Sequence, residues 1–205
     1  MVYLPPHFTE TDEAVLLAHI ERHDFGVLIT AGGGLIASQV PFLAERRDGQ
    51  LYLQGHLARP NPQVAALERG EALAIFPGPH AYISPSWYES GPAVPTWNYA
   101  SVHAYGPARG IADKDWLASF LRRLSERHEA REAALWRMGD QPAPFIDAML
   151  GGIVGFEIAV ARLEGKFKLS QNRPAVDRPR VAAALDARPD PGSQAVAQLM
   201  RDREG

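Results

Sequence analysis

Cysteine is absent from all 205 residues, which excludes disulfides, thiolate metal sites and cysteine nucleophiles. A chain of this length can bury a full core without such staples, and a cytoplasmic setting is the expectation. No apolar run reaches the roughly 20 residues that a membrane-spanning helix needs. The N-terminal MVYLPPHFTETDEAVLLAHIERH has neither a basic n-region nor an unbroken apolar stretch, so no signal peptide or membrane anchor is expected. Excess positive charge is missing as well, with 21 Lys plus Arg against 24 Asp plus Glu and a formal net charge of −3. Such a chain has no general attraction for phosphate backbones, and no helix-turn-helix or basic stripe supports direct nucleic-acid binding. Internal repeats, low-complexity tracts, the Walker and dinucleotide glycine patterns and a nucleophile elbow are all lacking. Hydrolysis by a Ser-His-acid triad is therefore not expected.

What is present reads as short strands broken by single helices. Glu10 to His23 carries Val15, Leu16, His19 and Ile20 at helical spacing, with Thr9 or Thr11 as a cap. His19 and His23 stand at i, i+4, but Ile20 occupies the place of the zincin glutamate and no third ligand is evident. Both are read as a solvated helix end, with no metal site. The period then changes: Phe25 to Ala31, a Gly32 to Gly34 turn and Leu35 to Glu45 form a hairpin, and the Asp48-Gly49 turn leads into Leu51 to Leu57. Asn61 as cap, Pro62 in the first turn and Gly70 beyond the end mark a short helix. Glu71 to Gly78, Ala81 to Ser84 and Thr96 to Ile111 complete about six strands. Asp113 to His128 is an amphipathic helix, Phe145 to Leu150 a shorter one, and the stretch after Gly151 a closing strand. Residues after Arg173 read as one or two short helices. The fold class is mainly β with peripheral helices, a small antiparallel barrel and not a doubly wound sheet.

Four segments carry chemistry. Phe76 to His103 packs six of the 18 aromatic residues and five prolines into 28 positions. Rings in water are unfavourable, so Tyr82, Trp87, Tyr88, Trp97 and Tyr99 need core, a subunit interface or a ligand. Within it, Trp97, Tyr99, Ser101 and His103 share one strand face, and Thr96, Asn98, Ala100 and Val102 the other. The first face suits a flat conjugated ligand, while plain core or a subunit contact is the bland alternative. HLARPNPQ places His56, Arg59, Asn61 and Gln63 where a strand ends and a helix opens, a setting for a phosphate or simply for a well-capped helix. IASQVPF puts Ser38 and Gln39, followed by Val40, inside an apolar strand, where one of the polar pair faces solvent. GKFKLSQN offers Lys166, Lys168, Ser170, Gln171 and Asn172 beyond a strand end, as donors to a ligand or as a polar loop.

Taken in order, YLPPHF, SQVPF, GHLARPNPQ, FPGPHAYISPSWY, VPTWNYASVHAYG and KLSQN resemble the PaiB-type family, the FMN-binding negative transcriptional regulators named for effects on protease production and sporulation in bacilli. The resemblance covers residues 1–172 and leaves 173–205 as a helical tail packed on the same domain. It implies a six-stranded antiparallel split β-barrel of the pyridoxamine-phosphate-oxidase type, a homodimer, and FMN in a cleft between subunits. By resemblance, Ser38, Gln39 and Val40 would run along the isoalloxazine ring and His56, Arg59, Asn61 and Gln63 would sit at the phosphate. Trp97, Asn98, Tyr99 and His103 would line the ring or the dimer contact, with Tyr82, Trp87 and Tyr88 shaping the barrel end. Lys166, Ser170, Gln171 and Asn172 would close the site, and Lys166 or Lys168 would add a second cation to Arg59. The function implied is FMN binding with a regulatory or redox role; haem is another planar ligand of suitable shape. An alternative is a flavin-dependent oxidoreductase or flavin reductase without DNA binding, and a third a split barrel that has lost its cofactor. The catalytic residues are unknown, with His56, Tyr99 and His103 as the candidates for proton transfer.

Overall fold

Alternation of burial along extended segments builds most of this chain. The computed structural model describes residues 1–203, which form nine strands and five α-helices. The strands are β1 (Thr9–Glu10), β2 (Phe25–Thr30), β3 (Ile36–Pro41), β4 (Leu43–Arg47), β5 (Gln50–Ala58), β6 (Glu71–Ile83), β7 (Thr96–Ile111), β8 (Ile153–Ala159) and β9 (Arg162–Lys168). The helices are α1 (Glu13–Arg22), α2 (Lys114–Glu129), α3 (Ala143–Gly151), α4 (Asp177–Asp186) and α5 (Pro191–Arg201). The antiparallel, mainly β architecture with peripheral helices is the one expected, but the strand count differs from six. Leu35 to Glu45 divides at Phe42 into β3 and β4, the closing strand divides into β8 and β9, and β1 adds a two-residue edge. Conversely, the two runs on either side of Pro79 join into the single strand β6.

The chain divides into two compact units. The larger holds Ile20–Ile75 and Ala104–Leu163; the smaller holds Met1–His19, Phe76–His103 and the chain from Glu164 onward. Strand order runs β3-β2-β6-β7-β8-β5-β4, and all of these strands contribute to the larger unit. Its turns follow the sequence signals. Arg47 pairs with Gln50 across Asp48 and Gly49, whose φ values of 50° and 81° make the tight turn that matches strand twist. Its core joins Phe42 and Phe156, ring centroids 5.8 Å apart, and Trp116 stacks on Phe120 at 5.3 Å. Gly155 lets the α2 tryptophan approach, since a Cβ there would stand 2.3 Å from the Trp116 ring.

In the smaller unit β1 pairs with β9 through Thr9↔Lys166 and Glu10↔Gly165, and α4 packs on α5. Val181, Leu185, Val196 and Ala197 are fully buried, so the tail is two well-packed helices. One expectation is corrected here. His19 is no solvated helix end: it is 7% exposed, its Nε2 lies 3.0 Å from the Phe76 carbonyl oxygen, and its ring packs against Phe167 at 5.3 Å. Gly78 makes room for it, because a Cβ at that position would meet the imidazole at 2.4 Å. His19 belongs to the buried stripe of α1 with Leu16 and Ile20, and His23 stands half-buried just beyond the end of the helix.

A carboxylate organises the larger unit. Register sets Glu157 of β8 directly between Gln54 of β5 and Arg109 of β7. Its side chain is 1% exposed and accepts from Gln54 Nε2 at 2.8 Å, from Arg109 Nη2 at 2.5 Å, and from Arg47. Arg123 of α2 extends the network by donating to Gln54 Oε1 at 2.7 Å. Burial pushes the Glu157 carboxyl up, but bonds from Gln54 and Arg109 and the charges of Arg47 and Arg109 outweigh it and hold it below the ordinary 4.5. A carboxyl held low in the fold stabilises it above the unfolded value, and that contribution is lost as pH falls through the folded value. Glu157→Gln is therefore expected to lower unfolding free energy at pH 7 by about 1–3 kcal/mol, because both arginines are exposed enough to turn to water. Urea unfolding from pH 7 down through 4.5 checks this: the wild type should lose stability more steeply than the variant.

Candidate functional site

The candidate residues fall into two groups, one in each unit. In the larger unit, β3 alternates as its period dictates, with Ser38 half-buried, Gln39 exposed and Val40 buried. Asn61 opens a 3-10 turn, Pro62–Ala66, by accepting from the Gln63 N–H at 2.9 Å, and its Nδ2 donates to Ser38 Oγ at 3.2 Å. Gln63 is fully buried and pins the β2–β3 hairpin from beneath, donating from Nε2 to the carbonyls of Leu28 and Ile36, each at 3.1 Å. Its Oε1 has no hydrogen-bond partner. His56, at the end of β5, is half-buried with its ring 5.9 Å from Phe120, and its buried Nδ1 is likewise without a partner. Burial alone lowers its pKa.

The anion-cradle reading of HLARPNPQ changes in detail. The helix is a five-residue 3-10 turn with little dipole, and its N–H groups are engaged: Asn61 on the Ala58 carbonyl, Gln63 on Asn61 Oδ1, Val64 on the Asn61 carbonyl. Arg59 is drawn onto the end of α3 and the start of β8. Its backbone N–H donates to Gly152 O at 2.8 Å, its Nε to Gly151 O at 2.7 Å and its Nη2 to Ile153 O at 3.0 Å. What remains for an anion is one fixed, solvent-facing guanidinium edge.

In the smaller unit the first half of β7 separates the two faces as its alternation requires. Asn98, Ala100 and Val102 are buried, whereas Trp97 is 52% exposed and Tyr99, Ser101 and His103 are half-exposed. The aromatic face is thus not core within this chain; the small residues opposite it are. Trp97 meets Tyr82 edge-on and tilts toward His80, both at 6.0 Å, and Lys166 Nζ lies 5.7 Å from the Tyr99 ring. Burial lowers the His103 pKa; the Glu164 charge works against it, and the N-terminal charge adds to it.

The KLSQN run is divided in its roles. Gln171 is consumed by its own turn, donating to Phe167 O at 2.5 Å and accepting from Leu169 N–H at 2.6 Å. Ser170, with φ of 67°, is buried and accepts from Asn98 Nδ2 at 2.9 Å. Asn98, Ser170 and Asn172 line a cavity of about 180 Å³ together with Thr96, Lys168 and Arg173. Thr96 and Arg173 are functional candidates that motif reading leaves out, although Arg173 follows the SQN run directly. A second cavity, about 280 Å³ in the larger unit, is walled by Leu121, Leu124, Trp136, Phe145 and Met149 and offers almost no polar anchor.

Residues 2–162 match the family described as "Putative FMN-binding domain". Protease synthase and sporulation protein PAI 2 of Bacillus subtilis is 38% identical over 98% of each chain. An uncharacterized protein of Emericella nidulans is 30% identical over 98% of this chain and 97% of its own. Among solved structures, the flavocytochrome Anf3 of Azotobacter vinelandii superposes with a TM-score of 0.60 at 17% identity, over 80% of this chain and 72% of that one. The FAD and haem binding protein of Mycobacterium smegmatis gives 0.58 at 18% identity, over 78% and 73%. The fold is the split barrel of these proteins.

Burial of both imidazoles yields a direct expectation. In a pH titration followed by ¹H–¹³C NMR, His56 and His103 should reach their midpoints below the ordinary 6.5.

Proposed function

The chain belongs to the FMN-binding domain family matched by residues 2–162, and from that membership we propose an FMN-binding flavoprotein whose cellular role runs through the bound flavin. The observation that carries the proposal is where buried polar atoms lack partners. Among the described residues of the larger unit these atoms are Arg47 Nε, His56 Nδ1 and Gln63 Oε1, and the last two belong to the candidate set. Leaving such atoms unpaired is unfavourable by about 1–3 kcal/mol each, so a ligand carrying both donors and acceptors fits them. FMN has a ring edge with an N–H and carbonyls, ribityl hydroxyls and a phosphate.

In the larger unit, His56 Nδ1 and Gln63 Oε1 supply unpaired hydrogen-bonding atoms, and Ser38 with Asn61 supplies a fixed hydroxyl and amide. Gln39 and Val40 continue the β3 wall, and Arg59 presents its remaining guanidinium edge to the phosphate. With their pKa values lowered by burial, His56 and His103 act near neutrality as uncharged hydrogen-bonding groups. FMN, when bound, would supply the electron transfer; the larger unit would orient it, with His56 as the group that holds a proton there. The half-open face of Trp97, Tyr99 and His103, with Lys166 over Tyr99, is the proposed subunit contact of a homodimer.

Protease production and sporulation, named for the Bacillus relative, would then be affected indirectly. A net charge of −3 and mixed charges along α2, α4 and α5 give no basic surface for DNA, and the absence of cysteine suits a cytoplasmic setting. The protein purified without added flavin is expected to be yellow, to release FMN on denaturation, and to elute at the mass of two chains. Colourless protein that takes up no added FMN would overturn the reading. His56→Ala is expected to weaken FMN binding about tenfold, the scale of one buried hydrogen bond, in a fluorescence-quenching titration.

A further inference from the structure

The cavity of about 180 Å³ in the smaller unit gathers Asn98, Lys168, Ser170 and Asn172, which the family resemblance offered to the flavin, with Thr96 and Arg173, apart from the His56 and Gln63 group of the larger unit. Two of the buried polar atoms without a partner, Asn98 Oδ1 and Arg173 Nε, belong to residues that line it. Asn98 is 0% exposed; its amide nitrogen is used on Ser170 Oγ at 2.9 Å, which fixes its carbonyl oxygen as the unpaired acceptor. Arg173 stacks on Tyr88, its guanidinium carbon 3.9 Å from the ring centroid, and its Nη2 reaches Asp177 Oδ2 at 3.3 Å. Asp177 is fully buried and accepts from the N–H groups of Glu89 and Ser90, so this guanidinium is both neutralised and held in place.

Lys168 is different. Its ammonium donates to Thr96 Oγ1 at 2.5 Å and to the Trp97 carbonyl at 2.6 Å, and no carboxylate among the described residues pairs with it. One N–H remains for a ligand. The lining therefore carries one uncompensated positive charge, two available donors and one buried acceptor, with Phe8, Tyr88 and Val94 as an apolar wall.

We propose that this cavity binds a small monocarboxylate that also carries an O–H or N–H donor. The carboxylate meets Lys168 Nζ and Arg173 Nε, and the donor meets Asn98 Oδ1. A single ligand charge matches the single uncompensated cation, whereas a phosphate would bring more charge and press it against the Asn98 carbonyl. At about 30 Å³ per water the cavity holds about six waters, or one ligand of a few heavy atoms. The site stands independently of FMN binding, since it uses only residues of the smaller unit.

Glycolate, acetate and inorganic phosphate are the probes, titrated into the full-length protein by calorimetry and by ¹⁵N NMR. Glycolate is expected to bind, shifting the Asn98 side-chain amide and the Ser170 amide. Acetate, which lacks the donor, should bind at least about fivefold more weakly. Lys168→Gln should weaken glycolate about tenfold or more, while Lys114→Gln on α2, removing the same charge, leaves it unchanged. Should Lys168→Gln fail to fold by circular dichroism, the wild-type NMR shifts and the glycolate-to-acetate ratio decide. No glycolate binding at tens of millimolar, equal affinity for acetate, shifts that miss Asn98, or phosphate binding more tightly than glycolate would each overturn the proposal.

Discussion

Close packing on the inner face of β7 is the constraint from which the rest of the chain follows. Only small side chains fit there: Ala100, Val102 and Ala104 are almost wholly buried, and a Cβ on Gly106 would stand 1.9 Å from the Ala159 carbonyl. Because a strand alternates strictly, reserving one face for small residues assigns the large rings to the other. Trp97, Tyr99 and His103 are therefore displayed because of what their neighbours must do. The fully buried polar residue on this face, Asn98, is tolerated because Ser170 Oγ and Met200 Sδ accept from its amide nitrogen. What it leaves open, a carbonyl oxygen without a donor, is as much a consequence of that packing as the display of Trp97.

Buried polar groups in this chain meet the same desolvation problem and end in two ways. Glu157 is surrounded by donors from β4, β5 and β7, and both its oxygens are satisfied. A carboxylate so fully paired rigidifies the sheet and has nothing left to offer a ligand, although Arg47 Nε beside it lacks a partner. Gln63 and Asn98 each keep one unmatched atom while the amide nitrogen of the same side chain is held fast, and His56 keeps Nδ1 unmatched beside the Phe120 ring. A fixed but unmatched group is preorganised, since binding need not order it again. The same distinction separates Arg109, committed to Glu157, from Arg59, whose clamp on the carbonyls of residues 151 and 153 orients the edge that remains.

The fold was largely legible because its signals are local. Asp48-Gly49 specified a turn, Asn61-Pro62 a capped helical entry, and the alternation in Thr96–Ile111 both faces of β7. Where residue type alone did not reveal which atoms are taken, the deciding contact belonged to the folded chain, for His19 and Arg59 far along the sequence. His19 looked like a solvated helix end because nothing nearby reveals Gly78, 59 residues on, making space for an imidazole bonded to Phe76. Arg59 looked like a free phosphate ligand because its carbonyl partners lie more than 90 residues away. Gln171 looked available, but its amide closes its own turn. Residue type and order identified which side chains matter; which atoms of them are already taken is a property of tertiary structure.

One chain can thereby present two kinds of polar site. A charge that is paired inside the protein cannot attract a ligand strongly, yet it can still aim a hydrogen bond. Asp177 does this for Arg173, removing its net charge while leaving Nε fixed and unpartnered. Burial does the equivalent for His56 by disfavouring its charged form. In both cases the group is retained as a directional donor or acceptor with little long-range field, so selectivity rests on the ligand's hydrogen-bonding pattern more than on its charge. Uncompensated charge is then confined to places where it decides the ligand class, such as Lys168, which no carboxylate among the described residues answers. A chain with a net charge of −3 draws few anions from a distance, and must recognise those it binds at contact range.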